Sequence, residues 1–475
     1  MYIVKYYEKN IVIISQLLLL FPLYWLIYSA VSDNLYKITV TILVYLVCLC
    51  LSLYSFKDEI KKDILHPICI FSLMYSFYIL PTPFLHILYT YFGMTLPLHS
   101  FYSDSLLFQS TTVLTLIGYV SFVFGFCLWR RTYLKTWGIS NGGQRFRKFG
   151  TRNMSILLKV LAFLYIAGGV IGLMFFVMRL GIEEVFFSKS ILGIEKVRPA
   201  IVQGALGSGS LLVVSGIGFM FISYLIRRMY PPRWVLLLLV IVIFFFALAG
   251  VRLYFLTLIY FLAFIYNYFG KHLKLGTLLK GLAILIPSFI LIGVFRNIRR
   301  FDVSVAIMNF LEFIFGEPNG CYYTLLATLK NYQYSDIEYL GYKGLWDILL
   351  FLIPRPLIGE KISVYRNLCE TLEISPFGSD FIVAQFYILG GVFSVIFGMG
   401  IIGLMVCLLY YSISKSFNHK IFYCLSVSIF FSLGLREAYF VTIKSIVQTS
   451  FVSTAILIIL YQLSCGILNE KVKRA

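Results

Sequence analysis

Charge is scarce in this chain. Only 13% of its 475 residues are charged, and 21 acidic residues face 40 Lys and Arg. Histidine is scarcer still, five in all and scattered. No cysteine pair has the spacing of a zinc site and no carboxylate cluster reads as a metal centre, so no metal is expected. A phosphate-binding P-loop and a dinucleotide fingerprint are both missing, which leaves ATP-driven transport unsupported and no cofactor expected. No small-x-small cleavage site follows the first apolar run, so that run is expected to stay as a helix.

What the chain has instead is apolar length. Hydrophobic residues make up 60% of it, and the mean hydropathy is +0.89. A soluble protein of this size cannot hide so much apolar surface. The reading is an all-α, polytopic integral membrane protein, a single membrane domain over 1–475. Apolar runs fall at 11–31, 38–56, 67–90, 109–129, 154–178, 207–226, 234–250, 253–269, 281–295, 390–412, 421–440 and 444–466, about 12 transmembrane helices.

The net charge of +19 would suggest nucleic acid in a soluble protein. In a membrane protein Lys and Arg collect in cytoplasmic loops. The segments "RRTYLKTWGISNGGQRFRKFGTRN" (130–153), "RRMYPPR" (227–233) and "GKHLKLGTLLK" (270–280) are strongly basic and fall on one side if all the runs span. Both termini are then cytoplasmic. Nearly the whole excess lies on that face and the outer face is charge-balanced, so the charge reads as topology and no nucleic-acid partner is expected.

The outer face carries the polar mass. A large outer loop region at 296–377 is expected between the ninth and tenth helices, and a second at 179–206 with a helix able to lie along the membrane surface. Within the large loop, "GLWDILLFLIP" (344–354) reads as a short interfacial helix and "FGEPNG" (315–320) as a turn. Cys321 and Cys369 both fall there, and an oxidising compartment would allow them to pair.

Several cations sit where the positive-inside bias does not put them. Arg252 lies between two runs, Arg296, Arg299 and Arg300 leave the membrane together, and Arg436 lies inside the outer end of the eleventh run beside Glu437. Arg355 is framed by Pro354 and Pro356, which fix its backbone, with Lys361 following. A charge near hydrocarbon costs roughly 2.5–3.5 kcal/mol on insertion scales, so each needs a reason. Arginine forks match phosphate oxygens, and a pyrophosphate at headgroup depth is the natural ligand for several of them. Glu317, in a Gly-Glu-Pro turn, and Asp380 can each serve as general base for an attacking hydroxyl. Tyr322, Tyr323 and Tyr365 can stack on sugar faces, or act as ordinary interfacial anchors. Arg366 and Lys343 read as solvated loop charges.

Three stretches carry a resemblance: "AGVRLYFLTLIYFL" around Arg252, "IPRPLIGEK" around Arg355, and "SPFGSDFIVAQFYILGGVFSVIFGMGIIGLM" over 375–405. Together with the topology they resemble the Wzy-type polysaccharide polymerases, the oligosaccharide repeat-unit polymerases of O-antigen and capsule clusters. One departure is Gln385, where many relatives carry an acid. The resemblance implies transfer of a growing glycan from undecaprenyl pyrophosphate onto a fresh lipid-linked repeat unit at the outer face of the bacterial inner membrane. It implies membrane lipid, a chain-length regulator and a flippase as partners. On this reading the expected catalytic residues are Arg252, Arg355, Arg436 and Glu317, and the expected substrate-binding residues are Arg296, Arg299, Arg300, Lys361, Asp380, Tyr322 and Tyr323. A flippase for lipid-linked oligosaccharide and an O-antigen ligase share most of these features.

Overall fold

The structure is a computed structural model. It describes residues 22, 24–91, 105–137, 151–182, 185, 200–249, 252–270, 272–274, 276–277, 280–281, 303–335, 337–353, 363–374, 379–413 and 416–474. Among these residues every regular element is helical. Seven helices are long and apolar enough to cross a membrane: Asn34–Ser55, Pro67–Leu88, Ser105–Arg130, Arg152–Leu180, Gly204–Leu225, Ile382–Ser412 and Tyr439–Leu463. The expected runs at 234–250 and 253–269 form shorter apolar helices. Most of the run at 11–31 and nearly all of the run at 281–295 lie outside the described residues.

In chain order the helices are α1 (Asn34–Ser55), α2 (Lys57–Lys62), α3 (Pro67–Ile79), α4 (Pro81–Tyr91), α5 (Ser105–Trp137), α6 (Thr151–Leu180), α7 (Ala200–Leu225), α8 (Arg233–Leu248), α9 (Arg252–Phe269), α10 (Val303–Tyr334), α11 (Tyr342–Leu352), α12 (Val364–Thr371), α13 (Ile382–Ser412), α14 (Phe417–Ile429), α15 (Tyr439–Ile446) and α16 (Val452–Arg474). The chain divides into two compact units. One comprises 1–140, 314–411 and 434–441, the other 141–313, 412–433 and 442–475.

In the first unit, aromatic packing and glycine contacts join the helices. Phe71 of α3 stacks on Phe122 of α5, and Tyr75 donates its hydroxyl to the Thr115 carbonyl at 2.8 Å. Between α5 and α13 the backbones touch. A Cβ on Gly125 would sit 1.9 Å from the Gly400 carbonyl oxygen, and one on Gly403 would sit 2.0 Å from that of Phe122. Small residues are what let membrane helices approach so closely, because lipid offers no hydrophobic drive to push them together.

The same unit buries an ion pair. Arg130 is 1% exposed and bonds the Glu59 carboxylate and the Tyr411 hydroxyl, with its guanidinium over the Phe56 ring. His66 and Tyr411 also reach Glu59, at 3.1 and 3.0 Å. The sequence reading puts Arg130 in a solvated basic loop without acids; its acid comes from α2 instead. His66, Arg130 and Tyr411 hold the Glu59 carboxyl below its usual range although burial alone would raise it.

In the second unit α6 and α7 run antiparallel. Ser155 bonds the Ser223 carbonyl at 2.8 Å, and Gly169 lies opposite Gly209. Phe261 of α9 packs onto Gly218 of α7, and Thr257 bonds Ser432 at 2.6 Å. Tyr165 of α6 meets Ser453 of α16 at 2.8 Å.

Three expectations change. The described part of 296–377 is largely helical, since it includes the 32-residue α10. The "FGEPNG" turn is therefore interior helix, with Pro318 inside α10. Burial overrides the local turn preference: Cys321–Tyr323 and Leu325–Leu326 are all at most 2% exposed. Finally, the eleventh run is not one helix. A π-turn at Phe430–Gly434 ends it, residues 435–438 are non-helical, and a new helix begins at Tyr439.

Candidate functional site

The site grows from α12, an eight-residue helix far too short to hold itself. Its N-terminus is fixed twice. Ser363 caps it, accepting from the Arg366 amide at 3.0 Å. Asp347 of α11 accepts from the Ser363 hydroxyl at 2.8 Å and from the amides of Val364 and Tyr365 at 3.0 and 2.9 Å. A buried carboxylate at the positive end of a helix is well placed electrostatically, and here its oxygens have three donors.

With α12 held, Tyr365 points inward. Its ring is 1% exposed and packs with Cys369, Ile374, Ile388, Ala438 and Phe440. Its hydroxyl donates to Asp380 Oδ1 at 3.2 Å. Burial and the neighbouring Asp380 charge push the tyrosine hydroxyl well above its usual range. The same enclosure raises the Cys369 thiol to about 12.

Asp380 sits in the short non-helical segment that leads into α13. Its amide donates to the Arg436 carbonyl at 2.8 Å, and the Ile382 amide donates to the Leu435 carbonyl at 3.2 Å. Thr324 of α10 bonds the carbonyl of Ser379. Burial, and then the Glu437 charge, raise the Asp380 carboxyl from 3.8 to about 6. The Tyr365 hydrogen bond and the Arg366 and Arg436 charges pull it the other way. A carboxyl poised near neutrality can exchange a proton with a substrate hydroxyl.

Gln385 ties α13 to the break at 435–438. Its amide nitrogen donates to the Glu437 carbonyl at 2.9 Å and its oxygen accepts from the Tyr439 amide at 2.7 Å. These bonds replace the helical ones lost at 435–438, which is why Arg436 lies in a break and not inside a helix. A second break follows at Gly390–Gly391 within α13. The Ile388 and Leu389 carbonyls freed there accept from the amides of Leu340 and Gly341 at 3.0 and 2.9 Å. Gly391 adopts φ +67, ψ −155, a region open essentially to glycine.

The expected site residues divide accordingly. Asp380 and Arg436 come together. Tyr322 and Tyr323 are 0% and 2% exposed, and Tyr322 bonds Thr112 of α5 at 2.8 Å. Both rings are enclosed by protein, so they serve as packing and not as faces for a sugar; Tyr365 is enclosed likewise. Arg252 begins α9 and Glu317 lies within α10, but their side chains are outside the described residues. So are Arg296, Arg299, Arg300, Arg355 and Lys361 altogether. Cys321 and Cys369 are buried thiols, not a disulfide. Sequence reasoning missed Asp347, hidden in an apolar-looking run; Arg366, expected in solvent, is exposed.

Among the described residues no three His, Cys, Asp or Glu side chains converge as a metal would require. No family model, curated protein or solved structure matches the chain.

Proposed function

We propose that this chain is a membrane glycosyltransferase that polymerises lipid-linked oligosaccharide repeat units at the outer face of a bacterial inner membrane. The observation that carries this reading is the meeting of Asp380, Tyr365, Arg366, Arg436 and Glu437 beside the starts of two apolar helices. A proton acceptor and guanidinium groups at a membrane boundary suit an acceptor hydroxyl and a lipid pyrophosphate better than they suit passive transport.

In this mechanism a sugar hydroxyl of the incoming repeat unit attacks the anomeric carbon of the growing chain. Asp380 takes the hydroxyl proton. The bond between the anomeric carbon and the pyrophosphate oxygen breaks, and undecaprenyl pyrophosphate leaves with the electron pair. Arg436 neutralises that developing charge, the role the sequence motifs also suggest for Arg252 and Arg355. The activated bond is already present, so no nucleotide is consumed, which agrees with the missing nucleotide motifs.

Deletion followed by a glycan gel tests the reading. One repeat unit per acceptor supports a polymerase. Lipid-linked polymer that is never transferred indicates a ligase, and neither product indicates a flippase; either overturns it. Arg436→Lys keeps the charge and loses the fork, and is expected to shorten chains at unchanged protein level.

A further inference from the structure

The apolar stripe of α11 points away from the protein. Tyr342, Leu345, Trp346, Leu349 and the following Ile353 are 72%, 52%, 60%, 52% and 41% exposed. They recur at helical spacing along one face. The opposite face carries Gly344 and Asp347, both buried. This is the reverse of a soluble surface helix, which turns its apolar face inward.

Its place in the fold says what covers the stripe. The Tyr439 hydroxyl donates to the Gly344 carbonyl, and Tyr439 is the first residue of a helix long and apolar enough to cross a membrane. A Cβ on Gly344 would collide with Leu389, inside another such helix. So α11 sits at the ends of two spans. Eleven residues of helix reach roughly 16 Å, too short to cross hydrocarbon of about 30 Å. A tryptophan and a tyrosine on the stripe, with exposed Lys343 beside them, match the side chains that settle at a lipid headgroup boundary.

We propose that α11 lies in the bilayer interface with this stripe among lipid acyl chains, and that through Asp347 it fixes α12, and hence Tyr365 and Asp380, at the membrane surface. The chain of contact is short: lipid against Trp346 and Leu349, Asp347 on the other side of the same helix, the α12 amides on Asp347, and Tyr365 on Asp380. A lipid-anchored platform would hold the carboxylate at constant depth, where a substrate with an embedded tail presents its head. The arrangement stands whichever reaction the carboxylate carries.

The test uses the full chain in nanodiscs of phosphatidylcholine, with and without brominated acyl chains. The Trp346 signal is the difference between the natural chain and Trp346→Phe. It is expected to be quenched by brominated lipid and poorly reached by aqueous acrylamide. A signal insensitive to brominated lipid overturns the placement, whether water or a second copy of the chain covers the stripe. Coupling is read by hydrogen exchange at the Val364 and Tyr365 amides. Asp347→Ala is expected to speed it at least tenfold, and Leu345→Glu with Leu349→Glu to speed it as well. Unchanged exchange in the double variant, with the rest of the chain still protected, overturns the link from lipid to site.

Discussion

Tyr365 donates its hydroxyl hydrogen bond to Asp380 at 3.2 Å, from a ring shut away from water to a carboxylate raised to about 6. The bond favours the ionised carboxylate, so removing it should raise the carboxyl further. If Asp380 acts as the base, polymer formation rises with pH through about 6. Tyr365→Phe is then expected to move that rise upward by about one pH unit, since a hydrogen bond to a charged acceptor contributes roughly 1.5 kcal/mol. A rate–pH profile in reconstituted membranes decides it. A rise that stays in place would show that the hydroxyl does not govern the carboxylate.

Stability should respond to the same group with the opposite preference. The folded Asp380 binds its proton more tightly than the unfolded one, with a carboxyl near 6 against 3.8. Across that window the folded state holds a proton the unfolded state has lost, so stability falls as pH rises from 3.8 to about 6 and levels off above it. The cost at neutral pH is at most about 3 kcal/mol, less what water reaching the half-buried group recovers. Asp380→Asn keeps an acceptor for Tyr365 and cannot ionise. Thermal unfolding measured from pH 4 to pH 7 should show a fall in the natural chain that the variant lacks; parallel curves would contradict it.

Gln385 needs both ends of its amide. Gln385→Glu keeps the acceptor for the Tyr439 amide but loses the donor to the Glu437 carbonyl. An acid here also sets a negative charge beside a carbonyl oxygen. The expected loss is about 2 kcal/mol, with faster hydrogen exchange at Tyr439. Gln385→Ala should cost a similar amount. Native stability in the Glu variant would mean the clip has another donor.

What could be read ahead of the structure follows how far apart the causes lie in the chain. A run of apolar residues is a local property, and seven expected runs became long apolar helices. The short helix around Trp346 was also local, spaced at helical intervals within eleven residues. Long-range pairings were out of reach. Arg130 meets Glu59 across 71 positions, so a basic loop without local acids still held a buried ion pair. The break at 435–438 depends on an amide some 50 positions earlier in the chain, so those residues read as uninterrupted helix. Pro318 and its glycine neighbours looked like a turn because turn preference is local, while the burial that overrides it is not. Asp380 was visible as a carboxylate, but its raised proton affinity comes from burial and Glu437, against the pull of the Tyr365 hydrogen bond, none of which the spacing reveals.

The glycine pair in α13 permits a final separation of causes. Gly391 holds a backbone conformation that costs an L residue roughly 1–3 kcal/mol. A Cβ there would also meet the Tyr339 hydroxyl oxygen at 3.1 Å and its ring carbon at 3.2 Å, tight enough to need a small shift. Gly391→Ala should therefore destabilise by a few kcal/mol and weaken the bonds from Leu340 and Gly341 to the broken helix. Shortening the neighbour with Tyr339→Ala removes the contact but leaves the backbone strain. The double variant is expected to recover only part of the loss relative to Tyr339→Ala alone, read by thermal unfolding and by exchange at Leu340 and Gly341. Full recovery would place the cost in the ring contact, and the positive φ at Gly391 would then not be what requires glycine.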